Sequence, residues 1–250
     1  MNKELIKSRF SRAAASYNSE ARVQLQVAKK LTSFIKEYCK LPNPRVLEIG
    51  CGTGLLSREL VANISPRELI LNDLCPEMES HLSHLLSHNN ISFKAEDAET
   101  AEFQGGMNLI ASSSSLQWIE DFSAFSNKAF STLSNDGYFA FASFSNENLK
   151  EIYSLTTNKL PYKSLEEIRT IIAQKFDILH YQSESYTLEF DNPVQCLRHI
   201  KLTGANALKN ESWSKGILQE FSKKYIERFS TSDGKVTLTY NPIYIIAHKK

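Results

Sequence analysis

The chain has 250 residues, 42% of them hydrophobic and 23% charged, with a formal net charge of +1. That size supports an α/β domain with a core of ordinary extent, and the near-neutral balance offers no basic domain for a phosphate backbone, so nucleic acid is not an expected partner. The start "MNKELIKSRF" lacks an apolar signal core, no run of about 18 apolar residues occurs, and Cys39, Cys51, Cys75 and Cys196 are scattered without a CxxC pair; a cytoplasmic protein with no membrane contact and no zinc is expected.

From residue 1 to about 38 the pattern is helical, with Leu25, Ala28, Leu31 and Ile35 on one stripe and Pro42 and Pro44 as breakers. Strand-like and helix-like stretches then alternate. Strands are expected at 45–49, 69–72, 91–95, 107–111 and 137–144, with Gly137 of "SNDG" as the turn residue before the fifth. This alternation predicts a mainly parallel sheet with helices on both faces. Further on, "SLEEIRTIIAQK" opens with Ser164 and has Glu167 three residues later, a capping-box signature. "FDILHYQSESYTLEF" and "KVTLTYNPIYIIAHKK" read as strands, and Pro242 predicts a bulge or an edge position in the second. Between them, the polar stretch 192–233 is too long for a connection and predicts a helical lid. The expected organisation is one domain over 1–250: a helical segment at 1–40, a cofactor-binding core at 41–191, the lid at 192–233 and the last strand at 234–250.

Charge is unevenly spread. Residues 1–30 carry seven lysines and arginines against two glutamates, and residues 194–228 carry seven against three. Each segment alone reads as a solvated helix face, whereas the two together suit an acidic partner. His81, His84 and His88 have helical spacing, but no cysteine or carboxylate cluster completes a metal site, and no metal is expected.

The stretch "VLEIGCGTGLL" (46–56) is a buried parallel strand, a glycine turn and the start of a helix. In an open α/β sheet that junction holds a cofactor. Gly50, Gly52 and Gly54 do not match the spacing of the dinucleotide fingerprint, and no lysine followed by serine or threonine makes a P-loop, so the turn cradles something other than phosphate. Asp73 ends the second strand 19 residues past Gly54, near the roughly 20 expected of a carboxylate that takes ribose hydroxyls. Asp97 follows the third strand, in position to read an adenine edge.

With these residues the chain resembles the seven-stranded S-adenosylmethionine-dependent methyltransferases: an α/β, Rossmann-like sheet with an N-terminal helical segment and a lid between the last two strands. The resemblance implies that Glu48, Gly50, Cys51, Gly52 and Gly54 surround the methionine half of the cofactor. Asp73 and Leu74 would lie at the ribose, Asp97 and the Ala98 amide at adenine, and Ser113 along the wall. "RFSRAAASYNSEARVQ" (9–24), "SSSSLQWIED" (112–121), "FASF" (141–144), "HIKLTGANAL" (199–208) and "LTYNPIYIIA" (238–247) are similar to the malonyl-acyl-carrier-protein O-methyltransferases of biotin synthesis.

That family implies methylation of the free carboxyl of a malonyl thioester, on acyl carrier protein or coenzyme A, with S-adenosylhomocysteine as the second product. The protein is expected to act as a monomer. A malonyl carboxylate, with a reference pKa near ~4, is already ionised at neutral pH, so alignment replaces a general base and can supply roughly 7–11 kcal/mol. Tyr17, Gln117 and Trp118 would lie over cofactor and substrate, with Lys201 reaching in from the lid. Relatives often carry an arginine in the helix after the Gln-Trp pair, where this chain has Asn127 and Lys128; if that arginine grips the substrate, either Lys128 or another basic residue such as Arg12 is expected to take its place. Three alternatives remain at this stage: a methyltransferase for a quinone precursor or free organic acid, a non-catalytic cofactor-binding module, and a nucleic-acid methyltransferase, the last disfavoured by the "SSSSLQW" that follows the fourth strand.

Overall fold

A computed structural model describes residues 2–156, 162–204 and 214–250. The chain opens with α1 (Lys3–Glu20) and α2 (Arg22–Tyr38) and enters the sheet at β1 (Arg45–Ile49). There follow α3 (Leu55–Ile64), β2 (Glu68–Asp73), a 3-10 stretch at Pro76–Leu82, α4 (Ser83–Leu86), β3 (Ile91–Ala95) and β4 (Met107–Ser113). A short 3-10 turn at Leu116–Trp118 leads to α5 (Phe122–Thr132), β5 (Leu133–Phe144), α6 (Lys150–Tyr153), α7 (Leu165–Ile172) and β6 (Phe176–Ser183). The chain closes with β7 (Tyr186–Phe190), α8 (Pro193–Leu202), α9 (Lys215–Phe229), β8 (Val236–Tyr240) and β9 (Pro242–Lys249).

Seven strands form one sheet in the order β3-β2-β1-β4-β5-β9-β6, and only β9 runs antiparallel to its neighbours. Side chains of a strand alternate between the two faces. In β5, Ala140 and Ala142 meet one core layer and Phe139 and Phe141 the other; in β9, Tyr244 and Ile246 oppose Ile243 and Ile245 in the same way. The small alanines leave room for α2, whose Val27, Ala28, Leu31 and Ile35 are buried. On the opposite face Phe139 packs with Phe125, Phe141 and Phe176 beneath α5 and α7, so truncating it to alanine costs about 3–5 kcal/mol. α7 begins with the expected capping box, Ser164 accepting from the Glu167 amide and Glu167 accepting from the Ser164 amide.

Several expectations are refined or corrected. The first 38 residues form two helices, because α1 ends at Ala21, whose amide donates to Tyr17. Each of the two long C-terminal strands is broken, and β7 and β8 pair as a separate two-stranded sheet. The break falls at Asn241, whose amide side chain donates to the Glu184 carbonyl at 2.7 Å and whose backbone N–H donates to Asn148 Oδ1 at 3.0 Å. Pro242 makes neither a bulge nor an edge: β9 lies inside the sheet, and proline fits as its first residue because the missing N–H falls where pairing ends. The turn expected at Gly137 is absorbed into β5 as an irregularity in the β4–β5 register, and Asp136 (φ 60°) carries the left-handed conformation. His81, His84 and His88 are exposed on a 3-10 stretch, on one turn of helix and beyond it, not on one continuous helix face. The stretch expected as a lid forms α8 and α9; Lys209 and most of the "TGANA" segment lie outside the described residues.

Candidate active site

A cleft of about 1080 Å³, its open mouth included, lies at the carboxyl ends of β1, β2 and β4. α1 roofs it. Lys3, Ile6, Phe10, Ala14 and Tyr17 line the cleft at intervals of three and four, one face of a helix. The floor is the end of β1 and the turn after it, from Glu48 to Thr53, and the far walls come from the residues at and following the ends of β2, β3 and β4.

The turn requires glycine for a measurable reason. Gly50 has φ 67°, and a Cβ there would stand 1.9 Å from Ser115 Oγ. A Cβ on Gly52 would meet nothing within 4 Å, so its exposed side opens toward the space a ligand would take. Asp73 ties this turn to β2, accepting the Gly52 N–H at 2.8 Å on one oxygen and the Cys75 N–H at 2.9 Å on the other. Burial raises its pKa, against the pull of those amides.

Glu48 is buried under the turn. Burial pushes its pKa up to about 8, with the Asp73 charge adding to the rise and the Ser57 hydroxyl and Arg58 opposing it. Its Oε2 lacks a hydrogen-bond partner, as does Oε1 of Gln24, a polar residue within the apolar stripe of α2. Two unpartnered acceptors in a cleft fit a cationic ligand group.

At the end of β3, Lys3 reaches down from α1 to Asp97 at 2.5 Å and to Glu99 at 2.6 Å. Burial of Asp97 opposes ionisation, yet Lys3 and the Glu99 amide hold its pKa below the usual carboxylate range. After β4, Trp118 lines the cleft with its ring edge-on to Phe10, 5.7 Å between centroids. Phe10 in turn touches the turn after α8, where a Cβ on Gly204 would stand 2.7 Å from its ring, so only glycine permits that approach; among the described residues, α8 and α9, expected as a lid, do not line the cleft. Tyr17 is enclosed near Asp73, and burial raises its hydroxyl pKa, keeping it a neutral donor.

Of the residues singled out from sequence, Tyr17, Glu48, Gly50, Cys51, Gly52, Asp73, Leu74, Asp97, Ala98, Ser113 and Trp118 line this one cleft. Gly54, also expected there, does not line it: it precedes α3 at φ 85° and faces Leu82 and Leu85. Gln117 does not line it. Its side chain donates to the Ser114 carbonyl at 2.7 Å, accepts from Ser143 at 3.1 Å, and borders a neighbouring cavity. Lys201 is exposed on α8, because the inward face of that helix is taken by Cys196, His199 and Ile200. Lys128 donates to the carbonyls of Ala98 and Glu99, and Arg12 to Ser8 on the exposed side of α1, so neither expected cation enters the cleft. Sequence reasoning missed Lys3, Gln24, Phe10 and Ser114. The signal for Gln24 was its polarity within an apolar stripe; Lys3 had none.

A methyltransferase-domain family matches residues 17–216. A malonyl-[acyl-carrier protein] O-methyltransferase of Bacteroides thetaiotaomicron is 42% identical over 260 residues, covering 100% of this chain and 99% of its own. The chain belongs to the malonyl-[acyl-carrier protein] O-methyltransferase family. A Bacteroides helcogenes protein of the same name is 38% identical, with 100% of both chains covered. The N-methyltransferase NodS of Bradyrhizobium japonicum, solved with S-adenosylhomocysteine, shares the fold with a TM-score of 0.55 and 13% identity, covering 98% of each chain. As a member of this family the chain is an S-adenosylmethionine-dependent methyltransferase. Among the described residues no group of three or more potential metal ligands occurs, and no helix is long and apolar enough to cross a membrane.

Proposed function

We propose that this protein methylates the free carboxyl of a malonyl thioester, carried by acyl carrier protein or coenzyme A, to its methyl ester at the start of biotin synthesis. The observation that carries this reading is the 42% identity, over essentially the full length of both chains, with a malonyl-[acyl-carrier protein] O-methyltransferase. Masking the second carboxylate makes the product resemble an ordinary primer for chain elongation.

The cleft supports the cofactor half of this reading. Glu48 Oε2 and Gln24 Oε1 offer acceptors for the amino group of S-adenosylmethionine, and the open side of Gly52 permits close backbone approach. Asp73, at the end of β2 with Leu74 beside it, suits the ribose hydroxyls; Asp97 and Ala98, after β3, suit adenine. Cys51 and Ser113 form wall, and Tyr17 and Trp118 present aromatic faces suited to a sulfonium, at roughly 0.5–2 kcal/mol each. Bound S-adenosylmethionine supplies an electrophilic methyl group on that sulfonium.

The remaining work is positioning. An acceptor carboxylate arrives ionised, so the protein need only orient it and exclude water, a role that suits the α1 roof. Gln117 acts by bracing the turn after β4, and Lys201, being exposed, suits contact with a carrier.

Mass spectrometry of malonyl-acyl-carrier protein, malonyl-CoA and free malonate, each incubated with the protein and S-adenosylmethionine, tests the reading. One methyl on the malonyl thioester is expected. Methylation of free malonate alone, or of none of the three while cofactor binds, overturns it.

A further inference from the structure

Besides Glu99 Oε2, which Lys3 holds, four buried side-chain atoms of residues that line the cleft have no hydrogen-bond partner. Two are the acceptors Glu48 Oε2 and Gln24 Oε1; the other two, Ser114 Oγ and Trp118 Nε1, can donate. The donors sit four residues apart at the end of β4. We propose that Ser114 Oγ–H and Trp118 Nε1–H together hold the carboxylate of the acceptor, an inference that rests on a malonyl thioester being the substrate.

The backbone around Ser114 is built to hold that hydroxyl in place. Ser114 has φ 58°, a left-handed conformation that is strained for serine. Its N–H donates to the Ala142 carbonyl at 2.9 Å and its carbonyl accepts from Gln117 at 2.7 Å, so the strained geometry is fixed from both sides. Gln117 is itself held by Ser143. Gln117 is therefore a positioning residue. Trp118 is fixed by its amide, which donates to the Ser115 carbonyl at 3.0 Å, and by the edge-on contact with Phe10.

No spare cation competes for the anion. Among the described residues lining the cleft, Lys3 is the one lysine or arginine, and it is paired with Asp97 and Glu99 at the adenine end. Neutral donors also suit the chemistry. Each carboxylate oxygen has about two lone-pair sites, so one oxygen can accept from both Ser114 and Trp118 while the other stays free to attack. Uncharged donors orient the anion without placing a second positive charge against the sulfonium.

The test uses the full chain with malonyl-pantetheine as acceptor and S-adenosylhomocysteine as a binding probe. Trp118→Phe keeps the ring but loses the N–H; Ser114→Ala loses the hydroxyl. Each is expected to raise KM for malonyl-pantetheine at least about tenfold, the loss expected for a hydrogen bond to a charged group. The S-adenosylhomocysteine Kd, read by calorimetry, should stay within about threefold. Ser114→Gly relieves the backbone strain and should unfold at a higher temperature while showing the same rise in KM. Unchanged KM in Trp118→Phe and Ser114→Ala, or an equal loss of S-adenosylhomocysteine affinity, overturns the assignment. If the unsubstituted protein leaves malonyl-pantetheine and malonyl-acyl-carrier protein unmethylated, the functional reading falls and this inference with it.

Discussion

Lys3, in the first turn of α1, places its ammonium 2.5 Å from Asp97 beyond the end of β3, bridging 94 residues of sequence. With Glu99 at 2.6 Å, the lysine clasps the roof of the cleft to its wall. Both carboxyls are held below the usual range: burial opposes ionisation, but Lys3 and backbone amides outweigh it. The clasp is therefore present above the ordinary carboxylate pKa and is lost as pH falls through the depressed values.

Cutting this clasp should free the roof. A part-exposed pair contributes about 0.2–1 kcal/mol, so Lys3→Met is expected to speed S-adenosylhomocysteine release about 1.4–5-fold in low salt. In stopped-flow traces at about 0.5 M salt the difference should shrink, because the pair is screened. Identical release rates in low salt would show that the pair does not hold α1 down.

Glu48 should couple proton release to cofactor binding. Its pKa, near 8 in the ligand-free protein, means the carboxyl is largely protonated at neutral pH, and a cationic amino group favours the ionised form. Affinity is expected to rise from pH 6 toward 8, and calorimetry in two buffers of different ionisation enthalpy should register a released proton that Glu48→Gln abolishes. The sign for stability follows from the same shift: a raised carboxyl pKa stabilises fully below the unfolded value near 4.5, and this contribution is lost as pH rises through 8. The melting temperature of ligand-free Glu48→Gln relative to the unsubstituted protein should therefore climb between those limits. A pH-independent difference would place the ionised form already in the free protein.

Gly50 and Ser115 should be coupled. Gly50→Ala forces a methyl group to within 1.9 Å of Ser115 Oγ and adds a backbone cost of about 1–3 kcal/mol at its positive φ. Ser115→Gly removes the clash but leaves the backbone cost, so the double variant should unfold less easily than the sum of the single effects predicts. Strict additivity in a thermal double-mutant cycle would contradict the close packing of this turn.

The basic helix α9 should steer an acidic carrier. Lys215 and Lys223 are exposed on α9, whereas Lys224 is paired with Glu220 at 2.7 Å. Reversing Lys215 and Lys223 to glutamate is expected to raise KM for malonyl-acyl-carrier protein several-fold in low salt and to leave that for malonyl-pantetheine unchanged. Equal effects on both substrates would remove α9 from carrier docking.

The sequence by itself determined what depends on neighbours along the chain. The strand at 45–49, the glycine turn after it, Asp73 and Asp97 at strand ends and the Ser164 cap all follow from short-range periodicity and spacing, and each appears where expected. Of the roof only Tyr17 was legible, through the resemblance. α1 fully buries only Ala13 and Ala14, because its inner face meets a ligand cleft and not a core, so its apolar stripe is weak. Nor could spacing tell which way side chains turn. Gln117 swings to brace Ser114, Lys128 caps carbonyls, and Lys201 faces outward, each decided by partners dozens of residues away or by the packing of α8. Only the tertiary structure decided these, because rotation about a side-chain bond answers to the groups that surround it in space, and the local pattern carries no record of them.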